Sequence, residues 1–167
     1  MDTVEITWSK GFIAWSNLAQ SKEPALDSPG FFAILVAELL TLSFLPLPIP
    51  RTRRRTEKYK LLYIDHAFGQ SLRDRILEPH KEYDCVQSEV KGTPHAGAVV
   101  MVGIITSKNV KITQTLMDDV ECCLVKSNRP PCNESNAERH IHRDLKVTNF
   151  GDYAPLIATS QSKQQSA

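Results

Sequence analysis

The chain has 167 residues and a formal net charge of +1, which gives room for one core-bearing domain and no net field that would draw it to nucleic acid. The same near-balance gives no global draw to a membrane either; the expected partner is an unknown protein, with a membrane a further candidate on local features alone and no nucleic acid. Four cysteines (Cys85, Cys122, Cys123 and Cys132) lack the spacing of a disulfide framework, and adjacent Cys122 and Cys123 cannot easily bridge each other, which favours a reducing compartment.

In chain order, residues 1–30 mix two tryptophans with turn formers and read as a loose lead-in ending in the loop "SKEPALDSPG". "FFAILVAELLTLSFLPLPI", Phe31 to Ile49, is then apolar almost throughout, with Glu38 its one charge. A membrane span needs about 20 mostly apolar residues, and arginines that follow one tend to stay cytoplasmic. Here Arg51, Arg53, Arg54 and Arg55 follow at once. Pro46, Pro48 and Pro50 break the end of any helix and leave about 15 residues, a length that also suits a buried core helix. The expectation is an apolar helix over 31–50, acting as a single-pass anchor with the C-terminal part cytoplasmic. A cytoplasmic or nuclear chain is the alternative. Residues 51–57 read as a basic linker: a surface for acidic lipids, a nuclear localisation signal, or simply a solvated basic turn.

Residues 58–126 read as a small α/β-type region. "YKLLYID" predicts a strand, and "QSLRDRILEPHKEY" a short helix stopped by Pro79. "GAVVMVGIIT" is a continuous apolar, β-branched run and predicts a buried strand. In "TQTLMDDVECCLVK", Leu116, Val120, Cys123 and Leu124 recur at helical spacing. Residues 127–155 read as a loop region and 156–167 as a polar, disordered tail. The predicted fold class is thus a small α+β chain, partly disordered, with an N-terminal apolar helix and a short mixed strand and helix region.

At Ile141 the chain reads "IHRDLKVTNFG". This resembles the protein kinase catalytic loop, H-R-D-L-K-x-x-N. The resemblance implies Asp144 as the base that accepts the substrate hydroxyl proton, Lys146 beside the transferred phosphate, and Asn149 as a magnesium ligand. It also implies that Arg143 orders the activation segment, and that ATP and magnesium are the cofactors. "NFG" further resembles the kinase D-F-G, with Asn149 in place of the metal-binding aspartate. One amide cannot serve both positions, and it lacks a carboxylate's charge. Lys111, with Glu121 or Asp118, offers only a stand-in for the kinase lysine–glutamate pair, and no G-x-G-x-x-G occurs. The sixteen residues after Gly151 are too few for a helical lobe. The expectation is a non-catalytic, kinase-derived or chimeric interaction protein with no cofactor. The alternative is an active enzyme fragment, kinase-like and using ATP and magnesium, or, on a fainter resemblance given below, methionine adenosyltransferase-like.

Three weaker patterns complete the reading. Cys122, Cys123, Cys132, His140 and His142 supply zinc-type ligands at a spacing that matches no common finger. Asn133-Glu134-Ser135 is a glycosylation acceptor pattern. "RDRILEPHKEYD" followed by "GAVVMVGIITS" resembles the N-terminal region of methionine adenosyltransferases; their G-H-P-D-K segment is missing, and "DHAFGQSL" keeps only His66 in about the right place.

Overall fold

A computed structural model describes residues 1–39, 57–93, 97–136 and 139–163. Its frame is a mixed seven-stranded sheet. The strands are β1 (Asp2–Trp8), β2 (Ile13–Ala14), β3 (Gly30–Leu39), β4 (Glu57–Ala67), β5 (Gly97–Ser107), β6 (Leu145–Gly151) and β7 (Thr159–Ser162). Their order is β4-β3-β5-β1-β6-β7, with β2 on the flank of β5. All neighbours run antiparallel except β1 and β6, which pair parallel. Among the described residues three α-helices cover the sheet: α1 (Leu72–Leu77), α2 (Glu82–Gly92) and α3 (Gln114–Asn128).

This architecture corrects the α+β expectation and its apolar helix. The run from Gly30 is β3, in the sheet between β4 and β5. Successive side chains of a strand point to opposite faces. Phe31, Ala33 and Leu35 enter the core under α3, while Phe32, Ile34 and Val36 enter a second core with Leu18, Leu26, Leu72 and Val86. Both faces are covered, so the strand is apolar at every position rather than at alternate ones. Each fully buried side chain of this size contributes about 1.5–3 kcal/mol. Among the described residues no helix is long and apolar enough to cross a membrane, which removes the single-pass helix. Residues 40–56, including the arginine cluster, lie outside the described residues.

The two ends of the chain also depart from expectation. Residues 1–30 supply β1, which sits between β5 and β6 with Val4, Ile6 and Trp8 buried. Two 3-10 turns follow, Trp15–Gln20 and Pro24–Asp27. Arg73 of α1 pins both: its guanidinium donates to the carbonyls of Leu18 and Ser21 and to Asp27 Oδ1, at 2.9, 2.9 and 3.0 Å. The polar tail forms β7 against β6; residues 164–167 lie outside the described residues. Local signals place the helices. Ser71 caps α1 by accepting from Asp74 N, and Thr113 caps α3 by accepting from Leu116 N. Arg129, left-handed at φ 50°, ends α3 just before Pro130.

Cys85 and Cys132 form a disulfide with Cα atoms 5.7 Å apart, contrary to the expectation of a reduced chain. The bridge ties α2 to the 3-10 turn Pro131–Asn136, a contact between elements far apart in sequence.

Candidate functional site

β4 is the edge strand of the sheet, and its pairing with β3 contains a bulge: Tyr63 faces Ile34 while Leu61 faces Leu35, leaving Leu62 as the extra residue. A bulge resets which face each later side chain takes. Beyond it, the exposed edge would leave backbone groups of β4 unpaired. The Asn133 side chain closes it, accepting from Ile64 N and donating to Ile64 O, both at 2.8 Å. The amide thus stands in for a neighbouring strand and fixes the backbone immediately before Asp65 and His66.

Asp65, His66 and Glu121 then meet. All three are buried, and one ligand atom from each lies within 4.8 Å of the others. Glu121 comes from α3, whose buried face packs against this part of the sheet. His66 Nδ1 is 2.7 Å from Glu121 Oε2, and its Nε2 is 3.0 Å from Gln114 Nε2. The Gln114 amide is a donor, so Nε2 accepts and Nδ1 carries the hydrogen that Glu121 receives. Asp65 accepts from His66 N at 2.7 Å, from Arg75 Nη2 at 2.9 Å and from the Tyr63 hydroxyl at 3.1 Å. A carboxylate has about four lone-pair sites, so one remains open.

The electrostatics follow from burial. Loss of water pushes the Glu121 carboxyl above its ordinary range, against the opposing hydrogen bond from His66. Burial, then the Asp65 charge, pushes the Tyr63 phenol far up; burial does the same to Tyr83. Both phenols are therefore hydrogen-bond donors at neutral pH, not bases. For Arg75, burial works against the charged form, but Asp65 and Glu78 outweigh it and the guanidinium is held cationic.

The three ligands open on a cavity of about 370 Å³. Its walls are polar: Arg75, His80, Glu82, Gln114, Asp118 and Arg139 surround the trio, and Phe68 contributes an exposed ring. The arrangement presents two carboxylates and an imidazole at one end and two guanidinium groups around them. That donor set suits a divalent cation of hard to borderline character.

Of the residues singled out by the kinase resemblance, Glu121 and Asp118 line this cavity, whereas Arg143, Asp144, Lys146 and Asn149 lie elsewhere. Arg143 donates from Nε to Asp119 Oδ2 at 2.8 Å and from Nη1 to Asp2 Oδ2 at 3.1 Å, linking α3, β1 and the start of β6. Asp144 is exposed, and its carbonyl accepts from Asp2 N. Lys146 is half-buried on β6. Asn149 is buried; its Oδ1 accepts from Trp8 Nε1 at 2.9 Å and its Nδ2 donates to Ile157 O at 2.7 Å. Gly151 ends β6 at φ +76°, and a Cβ there would lie 2.3 Å from Trp8 O, so the glycine of "NFG" is required by the strand end itself.

The remaining candidates also separate. Cys132 is in the disulfide, the Cys122 thiol donates to Arg139 O, and His140 and His142 are exposed, so the zinc-type set is not assembled. Among the described residues Asp65, His66 and Glu121 are the one group with metal-ligand geometry. Asn133 of the glycosylation pattern is buried against Ile64. Glu121 pairs with His66 rather than standing as a partner for Lys111, which leaves His66, carried only by the adenosyltransferase resemblance, as the one site ligand that pattern reached. No sequence pattern marks Asp65 or Arg75 as a site residue. Their only signal is a charge at the end of an apolar strand and on the helix that follows it.

Compared with family models, curated proteins and solved structures, the chain matches none.

Proposed function

We propose that the chain binds a divalent cation at Asp65, His66 and Glu121 and uses it to hydrolyse an ester of phosphate. The observation that carries this reading is the convergence of three buried ligand atoms within 4.8 Å at the end of a polar cavity flanked by Arg75 and Arg139. Binding replaces the hydrogen on His66 Nδ1 by the metal, while Gln114 keeps the ring oriented through Nε2. A cation there polarises a phosphoryl oxygen and acidifies a bound water. Guanidinium groups match the non-bridging oxygens of a phosphate, which favours phosphate over a neutral ester. The Tyr63 hydroxyl, protonated and held on Asp65, fixes that carboxylate without entering the chemistry.

The test is hydrolysis of bis(p-nitrophenyl) phosphate by the full chain with Mn²⁺. Release of p-nitrophenol that needs the ion and is lost in Glu121→Gln supports the reading. Turnover unchanged by chelation or by Glu121→Gln would sink it.

One observation favours a second reading, a non-catalytic interaction protein. Asp65, His66 and Glu121 already have hydrogen-bond partners within the chain, as structural clusters do. Absence of both metal binding and hydrolysis would select it.

A further inference from the structure

The Cys85–Cys132 disulfide spans a sequence separation of 47, and its two anchors hold two walls of the cation site. On one side Cys132 precedes Asn133, whose amide grips both backbone groups of Ile64 and so sets the position of Asp65. On the other side Cys85 belongs to α2, whose first turn carries Glu82 on the cavity wall and Tyr83 beside it. The Tyr83 ring meets the Tyr63 ring edge-on at 6.1 Å, and the Tyr63 hydroxyl donates to Asp65. Two paths from the bridge therefore converge on one ligand. α2 is packed more thinly than α3: Val86 is its one buried residue, whereas α3 buries nine. The other ties of α2 are Tyr83, partly buried Val90 and the surface Lys60–Glu89 pair.

We propose that the Cys85–Cys132 pair is a redox control on the site: the disulfide form holds the cation tightly, and reduction loosens it. This rests on the cation-site reading above. A dithiol reductant is the co-reactant. One of its thiolates attacks Cys85 Sγ, the half-buried sulfur, and Cys132 leaves as a thiolate that takes up a proton. The second thiol of the reductant then displaces Cys85. Two electrons and two protons end on the cysteines, and the reductant ends as its own disulfide. Cys122 and Cys123 do not compete. Both are buried, and burial raises both thiols, Cys123 to about 11, so neither supplies much thiolate.

The experiment titrates Mn²⁺ into the oxidised full chain and into chain reduced with dithiothreitol and freed of it under argon, read by electron paramagnetic resonance. The inference predicts a Kd about tenfold weaker after reduction, the size of effect seen when groups behind metal ligands are lost, with an unchanged circular dichroism spectrum. Cys85→Ser/Cys132→Ser should bind like the reduced chain and ignore dithiol. Equal affinity in both redox states overturns the control and leaves the cation site standing. No binding in either state removes the site itself. A reduced chain that no longer melts cooperatively also overturns the control, because the bridge would then be holding up the fold rather than tuning a site.

Discussion

Asp119 and Glu121 stand two residues apart on α3, about 200° around its axis at 3.6 residues per turn, and each anchors a cluster containing a second carboxylate and an arginine. Around Asp119, Arg143 sits between the buried carboxylate and Asp2, whose side chain is 32% exposed, so water shares the surplus charge. Around Glu121, Arg75 reaches Asp65, Glu121 meets the His66 imidazole, and the two carboxylate side chains are only 4% and 6% exposed. Surplus negative charge kept from water is costly unless a cation joins it. The first cluster is complete as a joint between α3, β1 and β6. The second is the one that opens on a cavity, and under the proposal above a cation completes it.

Breaking the first cluster should have the largest effect on stability. Arg143→Ala leaves Asp119 buried with the His142 N–H as its remaining bond and is expected to cost about 3–5 kcal/mol in urea unfolding. Mn²⁺ affinity per folded molecule should not change; a joint effect would merge the clusters that the comparison separates. Asn149→Ala strands the buried indole N–H of Trp8 and should cost about 2 kcal/mol, again without touching metal binding.

The second cluster makes a prediction of opposite sign. The Glu121 carboxyl is raised in the folded chain, so its contribution to stability is present below the ordinary carboxylate pKa and is lost as pH rises through the folded value. Glu121→Gln removes that loss. Melting temperatures of the two chains, recorded without metal from acid to neutral pH, should diverge in favour of the variant as pH rises. Saturating Mn²⁺ should reverse the gap by stabilising the wild type alone. The smallest effect belongs to Lys60→Ala. The Lys60–Glu89 pair is half in water, and its loss should move the unfolding midpoint by no more than about 0.5 kcal/mol equivalent.

What the sequence disclosed depended on whether a pattern has one physical origin. "GAVVMVGIIT" and "FFAILVA" are equally apolar, and both are strands covered on two faces. The first is bounded by a glycine and a serine at strand length. The second continues into more apolar residues and then arginines, which is also the pattern of a membrane helix. The helical spacing of Leu116, Val120 and Leu124 was unambiguous, and α3 is where it predicts. The kinase-like string was legible as letters, yet its Arg143 and Asn149 bind Asp119, Asp2 and Trp8, contacts that lie more than twenty or a hundred residues away. The cation site is hidden for the same reason: Asp65 and Glu121 are brought together by an edge strand, a bulge and a helix crossing it. No local spacing encodes that meeting.

The central claim is that Asp65, His66 and Glu121 hold a divalent cation, and Mn²⁺ titration of the oxidised full chain by isothermal calorimetry tests it most directly. The account predicts one saturable site, absent in Glu121→Gln and in Asp65→Asn while both variants keep a cooperative melt. A wild type that binds Mn²⁺ no better than Glu121→Gln would contradict it.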